Sequence, residues 1–136
     1  MRMIVLAAAL ALAAGAARAD PVEGEWLNQA RTGKIHIAAC PGKADRLCGA
    51  ISSMTDRTKT LDANNPDPAL RSRSLIGLQV LRDFRRAEPG RWTNGRIYDP
   101  KSGKTYDSRL SFGANGSLKV EGCIAILCQA QTWTRD

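Results

Sequence analysis

Trp92-Thr93-Asn94-Gly95-Arg96-Ile97-Tyr98-Asp99-Pro100-Lys101-Ser102-Gly103-Lys104-Thr105-Tyr106-Asp107-Ser108-Arg109-Leu110-Ser111-Phe112 is the stretch that decides the fold. In its second half Tyr106, Ser108, Leu110 and Phe112 share one face, while Thr105, Asp107, Arg109 and Ser111 share the other. That period of two marks a half-buried strand. Asp99 and Pro100 open a turn and Gly103 takes a positive φ, so residues 92–98 and 105–112 predict a β-hairpin. Gly103-Lys104 is not a phosphate loop, because the upstream glycine of that motif would fall at Tyr98.

The same alternation recurs outward from this hairpin. Ile35, Ile37 and Ala39 oppose Lys34, His36 and Ala38, and Leu118 and Val120 oppose Lys119 and Glu121. Residues 24–27, 47–54, 75–84 and 129–135 complete a set of eight predicted strands. Glu88-Pro89-Gly90 and Ala114-Asn115-Gly116 supply further tight turns, and no window sustains a helical period over three turns. These features predict an all-β chain, an eight-stranded antiparallel up-and-down barrel, with a two-sheet sandwich as the alternative. Residues 57–74, rich in Asp, Asn, Pro and Arg, form one long polar loop, read either as a binding loop or as a solvated insertion. In a closed barrel Ile35, Ile37, Leu78, Val80, Tyr106, Leu110 and Phe112 point inward, an aliphatic lining with one phenolic hydroxyl. Arg71 and Arg73 would then stand on the loop near the mouth, placed to meet an anionic head group.

The chain has 136 residues, of which 43% are apolar and 5% aromatic. Much of the apolar content sits at the start. Arg2, the apolar run 3–14 and Ala17-Arg18-Ala19 have the layout of a cleaved secretory signal over residues 1–19, leaving a single domain over residues 20–136. That run is too short to span a bilayer, which takes about 20 apolar residues. The charge of +7 falls to +5 once Arg2 and Arg18 are removed. A two-domain enzyme, a collagen-like chain and a bundle of spanning helices are excluded. The expected location is periplasmic or secreted.

An oxidising location bears on the four cysteines, which are more apt to pair than to bind metal there. Four cysteines allow three connectivities, and the sequence alone does not choose among them. Local pairing, Cys40 with Cys48 and Cys123 with Cys128, is favoured because each pair flanks a short turn. Neither spacing is that of a short zinc knuckle and His36 is the single histidine, so no metal or cofactor is expected.

Two resemblances follow. Gly24-Glu25-Trp26 near the start and Arg135 near the end resemble the lipocalin-type barrels, in which a first-strand Trp is covered by an Arg of the last strand. The ordered series Leu47-Cys48-Gly49, Asp62-Ala63-Asn64-Asn65-Pro66, Leu75-Ile76-Gly77, residues 92–100, Gly103-Lys104-Thr105-Tyr106 and Gln131-Thr132-Trp133-Thr134-Arg135 resembles the DUF2147 family of secreted bacterial proteins. The resemblance runs from Val22 to Arg135. It implies a lipocalin-like barrel and an extracytoplasmic location, and it carries no catalytic residue.

Function is bounded by what is absent from these patterns. His36 lies on the polar face of its strand, and no Ser occupies a nucleophile elbow, so the chain does not read as an enzyme. The basic residues are dispersed and no aromatics interleave with them on a strand, which argues against nucleic acid. The reading that remains is binding of a small apolar or amphipathic molecule, or contact with an anionic envelope component. A structural or protein-interaction module with a filled barrel is the alternative.

Overall fold

The computed structural model describes residues 20–135, so the predicted signal segment lies outside the described residues. Eight strands follow one another in a single antiparallel sheet: β1 (Gly24–Leu27), β2 (Gly33–Cys40), β3 (Lys43–Met54), β4 (Gln79–Glu88), β5 (Arg91–Asp99), β6 (Lys104–Phe112), β7 (Leu118–Ile124) and β8 (Leu127–Trp133). Each pairs with the next, which removes the sandwich alternative. The β5–β6 hairpin keeps the expected facing, with Ser108 and Leu110 buried, Tyr106 and Phe112 half-buried, and Asp107 and Arg109 exposed.

The expected full closure is corrected to a half-barrel. β1 has four residues and β8 has seven, so the two ends meet at one bridge. The Leu27 N–H donates to the Thr134 carbonyl at 2.7 Å and the Thr134 N–H to the Leu27 carbonyl at 3.0 Å. Beyond that bridge residues 127–132 of β8 are exposed. The Thr132 N–H finds a substitute partner in Gln29 Oε1 at 2.8 Å.

Arg135 reinforces this seam. Its guanidinium lies 3.8 Å from the centre of the Trp26 ring and donates to the carbonyls of Pro21, Glu23 and Glu25 at 2.5, 3.1 and 3.4 Å. Underneath, Trp26 is fully buried and its indole N–H donates to the Val22 carbonyl at 2.8 Å. Arg135→Ala is expected to lower stability by about 1–2 kcal/mol, since it removes the cation–π contact and its carbonyl bonds together. Denaturant melts would read this, and an unchanged midpoint would mean that the Leu27–Thr134 bridge alone holds the ends.

The centre of the half-barrel is packed with aromatic rings. Trp26, Phe84, Trp92 and Trp133 are each at most 3% exposed, and Phe112 meets Trp26 edge-on at 6.0 Å between centroids. Gly95 explains how the Phe84 ring fits. The ring lies directly over the Gly95 backbone, where a Cβ would overlap it, so glycine inside β5 marks a close approach. A register shift opposite β3 accompanies burial of the consecutive Val80 and Leu81. Cys40–Cys48 and Cys123–Cys128 form the expected local disulfides.

Candidate functional site

The connection between β3 and β4, residues 55–78, is a strap docked on the β5–β6 turn. An isolated bridge between Leu61 and Ser74 ties its two arms together, and the Leu75 N–H donates to the Thr60 carbonyl at 2.7 Å. Asp67 caps a short 3-10 turn, Pro68–Leu70, by accepting from the Ala69 N–H. Asn64 Nδ2 reaches across to the carbonyls of Pro100 and Lys101 at 3.2 and 3.1 Å.

Beneath the strap is a buried polar cluster. The Tyr98 hydroxyl donates to Asp62 Oδ1 at 2.5 Å, while Asn65 Nδ2 and Arg73 Nε donate to Asp62 Oδ2 at 2.8 and 2.9 Å. Asp62 is fully buried. Burial alone would raise its carboxyl, but the hydrogen bonds from Tyr98, Asn65 and Arg73 together with the Arg73 charge outweigh it and hold the group below the usual carboxylate value. Burial and the adjoining carboxylate push the Tyr98 hydroxyl up to about 12.

This cluster shows where the two loop cations stand. Arg73 is half-buried and paired with Asp62 at 2.9 Å. Arg71 is exposed, with its Nε bonded to the Asn65 carbonyl at 2.8 Å. Both therefore help to hold the strap. The sequence marks Asp62 and Asn65 as loop-shaping and Tyr98 as an anchor with a polar tip, but it does not reveal that the three meet.

Of the predicted lining residues, Ile35, Ile37, Val80 and Leu110 are buried in the core, whereas Leu78, Tyr106 and Phe112 keep partial access to solvent. Ile97 is a half-buried neighbour that the sequence reading missed. A Cβ at Gly122 would stand 3.7 Å from both Ile97 Cγ2 and Tyr106 Cβ, so these three positions share one face. Alternation along β7 places Ile124 on that same face, together with its cross-strand partner Leu127. Ile124 and Leu127 are 64% and 76% exposed. The half-barrel thus presents one uncovered wall beside β8, apolar at Ile124 and Leu127 and polar at Gln129 and Gln131, the cross-strand partners of Gly122 and Val120, the consequence of incomplete closure.

Two surface grooves flank the disulfides rather than the centre. One of about 590 Å³ adjoins Arg96, Asp107, Arg109 and Ile126 beside Cys123–Cys128, and another of about 240 Å³ adjoins Lys43, Arg82 and Asp83 beside Cys40–Cys48. The charges of the first are already paired, Arg96 with Asp107 at 2.8 Å and Arg109 with Glu121 at 3.1 Å. Among the described residues Cys40, Cys48 and Asp83 place candidate metal-ligand atoms within 4.8 Å, but both sulfurs are consumed by the disulfide. On the surface Glu25 stands between Ser52 and His36, accepting from Ser52 at 2.5 Å and lying 3.1 Å from His36 Nδ1. The two oxygens of the Glu25 carboxylate thus link the Ser52 hydroxyl and the His36 ring.

An up-and-down half-barrel whose first-strand Trp is capped by an Arg just past the last strand has a lipocalin-like fold. Protein HP1028 from the human pathogen Helicobacter pylori, described as belonging to the lipocalin family, is similar to this chain with a TM-score of 0.73 at 24% identity, over 84% of this chain and 82% of that one. The chain belongs to the DUF2147 family, described as an uncharacterized protein conserved in bacteria, whose model matches residues 24–135. No curated protein matches it. Among the described residues no helix is long and apolar enough to cross a membrane, and the two disulfides fit an oxidising compartment.

Proposed function

We propose that this protein is an exported carrier or sensor, periplasmic or secreted, that holds a small amphipathic molecule against the uncovered wall of its half-barrel. The observation that carries this reading is the face shared by Ile97, Tyr106, Gly122, Ile124 and Leu127, half-buried at its base and exposed at Ile124 and Leu127, with Gln129 opposite Gly122 as a second polar group a guest can meet. Ile35, Ile37, Val80 and Leu110 form the packed floor behind it, with Leu78 and Phe112 as partly accessible neighbours. The Tyr106 hydroxyl gives a guest one polar contact. Arg73 is occupied by Asp62, so Arg71 is the loop cation left to meet an anionic end.

Gly122 supplies the test. It has ordinary van der Waals room for a Cβ, so Gly122→Leu fills the space against Ile97 and Tyr106 without forcing the backbone. Titration with a fluorescent fatty acid should show saturable binding to the parent protein and at least about tenfold weaker binding to Gly122→Leu, with stability changed by less than about 1 kcal/mol. Absence of saturable binding, together with no molecule found by native mass spectrometry of protein from its own compartment, would leave the second reading. That reading, a structural or protein-interaction module, is favoured by the four buried aromatic rings that occupy the centre of the half-barrel.

A further inference from the structure

The large exposed hydrophobic residues are not scattered. Leu61, Leu70 and Ile76 lie in the β3–β4 connection, and Ile124, Ile126 and Leu127 lie at the β7–β8 hairpin tip, with Ile126 95% exposed. In an up-and-down sheet the β1–β2, β3–β4, β5–β6 and β7–β8 connections emerge at one end, so all six belong to that end. The opposite connections, Pro41-Gly42, Pro89-Gly90 and residues 113–117, carry neither a charge nor a large apolar side chain. The two ends therefore differ in exposed apolar surface.

The apolar end also carries exposed cations. Arg31, Arg57, Lys59, Arg71 and Lys101 project from its connections, all exposed and none in a salt bridge among the described residues. The exposed acids in the same connections are Asp56 and Asp67, and Asp67 is engaged in capping the 3-10 turn. At the opposite strand ends Lys43 and Arg91 are exposed as well but paired with Asp83 and Glu88, and Arg86 is exposed without a salt bridge among the described residues. Branched aliphatic side chains interspersed with exposed Lys and Arg match the boundary between lipid headgroups and acyl chains. There the aliphatic groups leave water and the cations meet phosphates. The tip is also a fixed structure, since Cys123–Cys128 closes the hairpin immediately behind Ile124-Ala125-Ile126-Leu127. Presenting it costs little ordering.

We propose that this end of the half-barrel docks on the surface of a membrane containing anionic phospholipid, seating the β7–β8 tip and the Leu70–Ile76 arm of the strap at the headgroup boundary. The proposal shares Ile124 and Leu127 with the wall offered to a guest, but its test reads Ile126, Leu70, Ile76 and the rim cations, so the two readings fail separately. Charge complementarity selects a bilayer over a second copy of this chain, since two copies facing each other at this end would oppose like charges.

Cosedimentation with vesicles tests it. The disulfide-bonded protein should pellet with phosphatidylglycerol–phosphatidylcholine vesicles at low salt and remain in solution with phosphatidylcholine vesicles alone. About 1 M salt, where screening acts over about 3 Å, should release it. Leu70→Asp with Ile76→Asp, and separately Ile126→Asp, should each lower the bound fraction at least fivefold. Lys59→Glu with Lys101→Glu, which alters exposed side chains only, should do the same, with an unchanged denaturant midpoint as the control for folding. Failure to pellet with the anionic vesicles would overturn the proposal, as would equal pelleting of parent and charge-reversed protein. A dimer seen by light scattering and abolished by Ile126→Asp would reassign the face to self-association.

Discussion

Asp62→Ala is expected to destabilise the protein by about 3 kcal/mol and to lower Tm by about 10–20 °C in a calorimetric scan. The carboxylate is fully buried and receives three donors, from Tyr98, Asn65 and Arg73. Removing it leaves the Tyr98 hydroxyl and one Asn65 proton without their acceptor inside the protein, and each such group costs about 1–3 kcal/mol. Arg73 is 37% exposed and can turn back to water, which keeps the loss at the lower end for a broken buried pair. Asp62→Asn preserves shape and one acceptor oxygen but not the charge, so it should lose about half as much. A loss below about 1 kcal/mol for the alanine variant would show that the strap contributes little to global stability.

The same pair gives the protein two pH limbs. The folded Asp62 carboxyl lies below its unfolded value of about 3.9, so its stabilising contribution is complete above that value and disappears as pH falls through the folded one. Tyr98 behaves in the opposite sense. Its hydroxyl is raised to about 12, so its contribution is complete below an unfolded value of about 10 and is lost as pH climbs from there toward the folded value. Urea melts across pH should therefore show an alkaline decline that is absent in Tyr98→Phe.

Strand periodicity was legible where one face is buried and the other wet. β1 coincides with its predicted bounds and β6 begins one residue earlier than expected. The prediction was displaced at β4, expected at 75–84 and found at Gln79–Glu88. Leu75 belongs to the hydrophobic core, but its backbone pairs within the strap, N–H to the Thr60 carbonyl, so its hydrophobicity imitates the start of a strand. At the other end Arg85, Arg86, Ala87 and Glu88 are exposed and carry no alternation to read. β8 shows the same effect, because without a strand beyond it six of its residues lie in solvent. The Asp62–Tyr98 contact spans 36 positions, and no local pattern encodes a hydrogen bond of that separation. What the sequence offered instead was a pair of polar motifs whose meeting only the fold reveals.

Gly103 is the other place where those motifs meet, and Gly103→Val is expected to cost about 3 kcal/mol or more. Its φ is +70°, in the left-handed region that a β-branched residue strongly avoids, and this alone costs about 1–2 kcal/mol. Space gives the second reason. A Cβ at this position would overlap the carbonyl oxygen of Asn64, which belongs to the strap, and would also crowd Pro66. Asn64 is itself anchored to the carbonyls of Pro100 and Lys101 in the same turn, so the strap has no free direction in which to retreat. The Gly103 N–H, bonded to the Asp99 carbonyl at 2.8 Å, fixes the turn from its own side. The two costs separate experimentally. Gly103→Asn tolerates the positive φ but still carries a Cβ, so its loss in a denaturant melt isolates the steric part. If the Asn variant were as stable as the parent, the contact between strap and turn would be loose, and the conformational cost alone would account for the valine result.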